Sequence, residues 1–299
     1  MKKTLQLLLF LTLATTTIFA NINVVVSILP QKTFVQEIGG EKVDISLMVQ
    51  PGDSPHTYEP KPSQMKEIAK AALYLAMDVE FENVWLPKFK NLNPKMNVVD
   101  LAENITKIAM MAHHHHDEHE EKEHHEAHEA DDHHEHEDGL DPHVWTSPEN
   151  VRIIAKNIHK ALSEYDPDNQ AYYTQNLTKF LEKIDATDRR IKEILTSIKP
   201  HSTFMVFHPA WGYFAKAYDL VQLPVEIEGK EPKPKELVKL IETAKEHKVK
   251  AIFTQPEFSD ATAKVISEEL GIKVIKVSPL AADWSQNLID LAKAIAGKE

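Results

Sequence analysis

Along the chain, short apolar runs alternate with stretches whose apolar positions recur every three or four residues. Residues 23–29, 43–49, 72–77 and 97–101 read as strands, the first carried by Val24, Val25, Val26 and Ile28 and closed by Pro30. Between them 32–38, 62–70 and 82–89 read as helices, with Gly39 and Gly40 stopping the first and Ser63 placed to cap the second. The alternation resumes later, with strands at 203–207, 251–254 and 273–277, helices at 235–246 and 262–270, and Gly271 just past a helix end. Strands alternating with helices predict an α/β fold of parallel sheets with helical crossovers.

Two segments break the alternation. Residues 113–138 hold only His, Asp, Glu, Lys122, Ala127 and Ala130, so no apolar face exists and a disordered loop is expected. A helix follows from about 148 to 165. From 169 to 198 there is no Gly or Pro, and Tyr173, Leu177, Leu181, Ile184, Ile191, Leu195 and Ile198 repeat at helical steps. Thirty helical residues span roughly 45 Å, about the width of a domain. With strands on either side, this helix is expected to be a rigid strut joining two lobes of parallel sheet flanked by helices. The expected division is a first lobe at 21–166 containing the loop, the linking helix at 167–199 and a second lobe at 200–299.

Charge and composition set the compartment. Met1, Lys2 and Lys3 precede an apolar stretch at 5–14, a Thr patch at 15–17 and Ala20 as the last residue before a cleavage point, which together read as a secretory signal peptide over 1–20. There is no cysteine, which excludes disulfides and a lipid-attachment cysteine, so a periplasmic, soluble and unanchored product is expected. The net charge of −12 belongs to one place: residues 113–138 carry twelve Asp and Glu against one Lys, leaving 34 acidic and 33 basic residues elsewhere. Without a basic stripe, no nucleic-acid partner is expected.

Candidate chemistry lies with histidine. Outside the acidic segment the histidines are His56, His143, His159, His201, His208 and His247. Three share one setting: His56 follows Pro55 just after a strand, His143 follows Pro142, and His208 ends a strand and precedes Pro209. Ligands of open α/β sheets gather beyond the C-terminal ends of strands. Two histidines from the first lobe and one from the second are therefore expected to meet between the lobes, where neutral imidazoles suit zinc. Asp141 is near enough to orient His143. His159, His201 and His247 read as surface or packing residues. The acidic segment adds His113, His114, His115, His116, His119, His124, His125, His128, His133, His134 and His136, read as weak, labile, pH-sensitive zinc sites. The His-x-x-Glu-His spacing at 115–119 is expected by chance in such a sequence and lacks a supporting helix, so no protease is read from it.

Several segments resemble the ZnuA-type zinc-binding receptors of ABC importers. Pro51-Gly52-Asp53-Ser54-Pro55-His56-Thr57-Tyr58-Glu59-Pro60 resembles their first metal-ligand segment, and Asp141-Pro142-His143-Val144-Trp145-Thr146-Ser147-Pro148 their second, directly after a His-rich loop. His208-Pro209-Ala210-Trp211-Gly212-Tyr213-Phe214-Ala215 resembles the third, with Glu226-Ile227-Glu228-Gly229-Lys230-Glu231-Pro232 following as in the family. The resemblance covers nearly the whole chain beyond residue 20, in order. It implies two lobes on a long backbone helix, metal in the cleft, and delivery of Zn2+ to an inner-membrane permease with its ATPase by a monomeric protein that is not an enzyme. Related manganese receptors carry a carboxylate where His208 stands, so His208 implies zinc, in line with ligand softness. One departure stands out: Ser278 occupies the place before Pro279-Leu280 where the family commonly has an Asp ligand. The fourth position is then expected to be water or, by a local shift, Asp283. The loop is expected to recruit or buffer zinc, and lobe closure to be small. A hydrating or hydrolytic enzyme and a pure zinc buffer are the rival readings.

Overall fold

The structure is a computed structural model, and it describes residues 21–110, 139–227 and 229–298. The signal peptide expected at 1–20 and the loop expected at 113–138, with its eleven histidines, lie outside the described residues.

Two four-stranded parallel sheets carry the fold. The first, in the order β2-β1-β3-β4, uses β1 (Ile22–Val26), β2 (Val43–Leu47), β3 (Leu73–Ala76) and β4 (Asn97–Asp100). The second, in the order β6-β5-β7-β8, uses β5 (Ser202–Val206), β6 (Leu220–Pro224), β7 (Ala251–Thr254) and β8 (Lys273–Lys276). The two orders are the same, so the lobes repeat one another in topology although the sequence shows no repeat. In each sheet the chain steps from the first strand to one side, then crosses to the other. That crossing opens a crevice beyond the C-terminal strand ends.

Local chemistry explains the element bounds. The helix expected at 32–38 begins earlier, as α1 (Leu29–Gly39), because Pro30 fits a first helical turn where no N–H is needed. Gln31 Oε1 accepts from the backbone N–H groups of Ser27 and Ile28, both at 2.9 Å, which satisfies the turn between β1 and α1. Next come α2 (Pro62–Lys70), α3 (Glu80–Leu92) and α4 (Pro148–Tyr165). The long helix α5 (Gln170–Leu195) has 26 residues, about 39 Å, and is entered through a single turn at Pro167–Asn169. Beyond the sequence reading are the edge strand β6, the short α6 (Gly212–Ala217) and α9 (Trp284–Ala296). Gln222 interrupts the apolar run of β6, and Pro224 sits in it at the sheet edge, where a missing N–H is tolerated. The remaining helices, α7 (Pro234–Glu246) and α8 (Ala261–Leu270), cover the outer face of the second sheet.

The core shows why α5 acts as a strut. One apolar cluster runs unbroken from β1 and β3 through α1, α4 and α5 into β5, α6 and α9, so both lobes share it. Where they join, Phe34 of α1 packs on Phe180 of α5 at 5.7 Å and edge-on against Trp284 of α9 at 5.6 Å. Gly40, at φ 53°, closes the end of α1 against α5: a Cβ there would stand 2.1 Å from the Tyr172 hydroxyl. Lobes that share close-packed apolar surface are held against wide swings.

A buried polar knot sits at the end of the first sheet. Glu82, 3 % exposed, accepts from Met77 N at 3.0 Å, from Asp78 N at 2.7 Å and from Ser27 Oγ, which also meets the Tyr74 hydroxyl at 2.6 Å. Burial pushes the Glu82 carboxyl up to about 7, against the hydrogen bonds that lower it. Its contribution to stability is present below the unfolded carboxyl value of about 4.3 and lost as pH rises through about 7. Metal-free protein is therefore expected to lose roughly 3 kcal/mol from this group between pH 5 and pH 8, and Glu82→Gln to flatten that slope. Denaturant unfolding at several pH values reads this, and an unaltered slope in the variant would place its origin elsewhere.

Candidate metal centre

Every group of the candidate site follows the C-terminal end of a strand. His56 lies on the turn-rich segment after β2, Glu80 opens α3 after β3, and His143 ends the connection from β4 to α4. In the second lobe His208 stands two residues beyond β5, Glu226 two beyond β6, and Gln255, Glu257 and Phe258 on the turn after β7. His56, His143 and His208 line one cavity between the lobes. The ring of His208 is 5.0 Å from that of His56 and 5.2 Å from that of His143, both edge-on.

The outer nitrogen of each ring is taken by a carboxylate. His56 Nδ1 meets Glu80 Oε2 at 2.6 Å, His143 Nδ1 meets Asp141 Oδ1 at 2.8 Å, and His208 Nδ1 meets Glu226 Oε2 at 2.7 Å. A carboxylate on Nδ1 fixes that nitrogen as the proton carrier and leaves Nε2 with a lone pair. Asp141 and Glu226 are themselves buried, at 1 % and 8 % exposure, so these pairs are held out of water. Asp141 also accepts from the backbone N–H of His143 at 2.9 Å. Its other oxygen lies against Gly212 of the second lobe, where a Cβ would come within 2.6 Å. Only a glycine lets the lobes approach that closely. Sequence reasoning reached Asp141 from its spacing. It did not find Glu80 or Glu226, because pairing across a crevice leaves no local pattern.

The electrostatics differ between the rings. The hydrogen bond that His56 donates to Glu80 raises the His56 pKa above the ordinary histidine value, and His56 in turn lowers that of Glu80. His208 moves the other way, because burial disfavours its charged form more than Glu226 favours it. His208 Nε2 is buried and has no hydrogen-bond partner among the described residues. A buried, neutral nitrogen without a partner is costly unless it has a ligand to meet.

Size and spacing limit what such a ligand can be. The cavity holds about 30 Å³, room for an ion with a water. Imidazoles bound to one tetrahedral zinc at 2.0–2.1 Å have ring centroids about 5 Å apart. Among the described residues no three His, Cys, Asp or Glu side chains are already closed to coordinating distance. The three rings border one cavity, with His208 in contact with both of the others.

The remaining expected residues fall elsewhere. Asp283, expected as a fourth ligand only by local shift, caps α9, accepting from Gln286 N at 3.1 Å, and does not line the cavity. Ser278 Oγ donates to Glu257 Oε1 at 3.0 Å. His159 meets Thr174 Oγ1 at 2.9 Å, His201 pairs with Asp219 at 3.1 Å, and His247 meets Thr203 Oγ1 at 3.3 Å, all away from the cavity.

Cross-lobe hydrogen bonds hold the cleft in shape. Trp145 Nε1 donates to Pro279 O at 2.8 Å, and Trp284 Nε1 donates back to Trp145 O at 2.7 Å. The Tyr213 hydroxyl donates to Asp141 O at 2.8 Å, and Thr33 Oγ1 donates to Ala282 O at 2.8 Å. No helix among the described residues is long and apolar enough to cross a membrane.

Two α/β lobes on a shared helical spine, with an ion-sized histidine cleft between them, define the class of two-lobed cleft binders. The chain belongs to the ZnuA family, zinc-uptake complex component A, periplasmic, whose model matches residues 24–297. It is 32 % identical over 254 residues to the high-affinity zinc uptake system protein ZnuA of Bacillus subtilis, covering 84 % of this chain and 76 % of that protein. It is 30 % identical over 263 residues to the zinc-binding protein AdcA of Streptococcus pyogenes, covering 87 % of this chain; it spans about half the length of that relative, 50 %. Among solved structures, that of a ZnuA deletion mutant with zinc bound superposes with a TM-score of 0.80 at 38 % identity, covering 92 % of this chain and 97 % of that one.

Proposed function

We propose that this chain is a periplasmic zinc receptor that binds one Zn2+ through His56, His143 and His208 and delivers it to an ABC-type importer. The observation that carries this reading is the three carboxylate-backed imidazoles, each tied at Nδ1, around one small cavity of about 30 Å³. Zinc is the cargo that three nitrogen donors favour, and relatives named for zinc uptake and zinc binding support it. Relatives named for zinc uptake and zinc binding support capture and release rather than turnover, so the protein acts as a receptor and not as an enzyme. The partners are an inner-membrane permease with its ATPase, and the receptor works as a soluble monomer freed of residues 1–20. The eleven histidines of 113–138, interleaved with acids, add weak exchangeable sites that raise the local zinc concentration.

Protons compete with the ion for each ring. His56, whose pKa is raised by Glu80, takes up a proton before His208, whose pKa is lowered by burial, as pH falls. Above its pKa the His56 ring is neutral and free to hold the ion. Below it, apparent affinity drops about tenfold per pH unit for each ring that protonates. The full chain, equilibrated with a competing chelator strong enough to strip weak sites, is expected to keep a single equivalent of zinc near pH 7.5 and release it towards pH 5, as read by elemental analysis. No retained zinc near pH 7.5 would move the function to the acidic segment and make the protein a buffer.

A further inference from the structure

Three imidazoles leave a tetrahedral ion one donor short. Of the carboxylates touching the three rings, Glu80, Asp141 and Glu226 each have an oxygen committed to an Nδ1. A further carboxylate, Glu257, lines the same cavity and touches none of those nitrogens.

The turn that carries Glu257 is fastened to His208 at both ends. Before it, Gln255 Nε2 donates to His208 O at 3.0 Å, and its Oε1 accepts from His208 N at 3.4 Å. After it, the Phe258 ring stacks on the His208 imidazole at 5.1 Å, with 22° between planes. Phe258 N bonds to Gln255 O at 3.2 Å and closes the turn. Glu257 lies between these anchors, so its place relative to His208 is set from both sides. The exit of β8 holds the carboxylate itself: Ser278 Oγ donates to Glu257 Oε1 at 3.0 Å while accepting from Leu280 N at 3.1 Å. His208 Nε2, buried and without a partner, borders this same cavity.

We propose that Glu257 supplies the fourth donor to the ion held by His56, His143 and His208, with Ser278 as its positioning residue. The proposal rests on the three-histidine reading and completes it. Three imidazoles leave an ion with its whole double charge beside the buried His143 and His208, and a carboxylate in contact offsets half of it. A serine hydroxyl is a weak zinc ligand, but as a donor to one carboxylate oxygen it holds the other towards the ion. This accounts for Ser278 at the β8 exit without requiring it to touch metal.

The test uses the full chain with zinc alone, by chelator competition near pH 7.5, and one equivalent of Co2+ as a spectroscopic probe. Glu257→Gln keeps the size of the side chain and removes its charge. It is expected to weaken zinc by at least the roughly ten- to hundred-fold that losing a carboxylate partner costs a metal site, and to shift the visible Co2+ bands. Ser278→Ala, which keeps the carboxylate and removes its hydrogen bond, is expected to give a smaller loss. Thermal unfolding of each metal-free variant confirms folding. Affinity within about threefold of the parent chain and an unchanged Co2+ spectrum in Glu257→Gln would overturn the proposal. His208→Ala, run in parallel, separates the causes. If it binds zinc as the parent does, the three-histidine reading falls and this proposal with it; if it alone loses zinc, only the fourth-donor assignment falls.

Discussion

His208→Ala is expected to abolish retention of the single tight zinc, lowering affinity roughly a hundred- to a thousand-fold. Apparent binding energies of about 10–16 kcal/mol for four-ligand structural zinc sites correspond to roughly 3 kcal/mol per donor. His208 is the imidazole contributed by the second lobe, so its loss removes a donor and also the tie between lobes that the ion would make. The effect is sharpened by the surroundings. Its Nδ1 is already aligned by Glu226 at 2.7 Å and its ring is stacked by Phe258, so little ordering cost is left to pay at binding. Glu226, buried beside the gap, would lose its partner, and the metal-free variant is expected to be less stable by about 1–3 kcal/mol. Chelator competition on the full chain measures the affinity, and thermal unfolding the stability. Parent-like zinc retention would mean that the ion is held elsewhere.

Trp145→Ala is expected to give the largest loss of stability, about 3–5 kcal/mol, which for a chain of this size lowers the thermal midpoint by about 10 °C. Trp145 is 1 % exposed and bridges the lobes through both its parts. Its indole N–H donates to Pro279 O, and its carbonyl receives the indole N–H of Trp284, which packs on Phe34 at the joint of the shared core. Truncation opens a cavity beside His143, whose ring lies 5.3 Å from the indole, so weaker zinc binding is expected to accompany the stability loss. Trp145→Phe, which keeps most of the volume and loses the hydrogen bond, should recover most of the midpoint. A change under about 1 kcal/mol in the Ala variant would show that the lobes are held without this side chain.

Periodicity along the chain determined most of the architecture. Val24 to Ile28 and the run at 251–254 gave strands because a strand buried on both faces needs a continuous apolar run. The spacing from Tyr173 to Leu195 gave the long helix because a buried helical stripe recurs every three to four residues. Both are local, and both are written into neighbouring residues. Pro-flanked histidines just past strands likewise pointed to His56, His143 and His208, since strand ends in such folds face a common crevice. What only the tertiary structure decided is what meets across that crevice. Glu80 finds His56, Glu226 finds His208, and Glu257 is held by Ser278 from a different strand exit. Edge strand β6 was hidden by Gln222 and Pro224, and with it the place of Glu226. Asp283 looked available by its position in sequence, yet the start of α9 takes its side chain as a cap. Such pairings depend on distances between segments far apart in the chain, and those distances exist only once the shared core has fixed one lobe against the other.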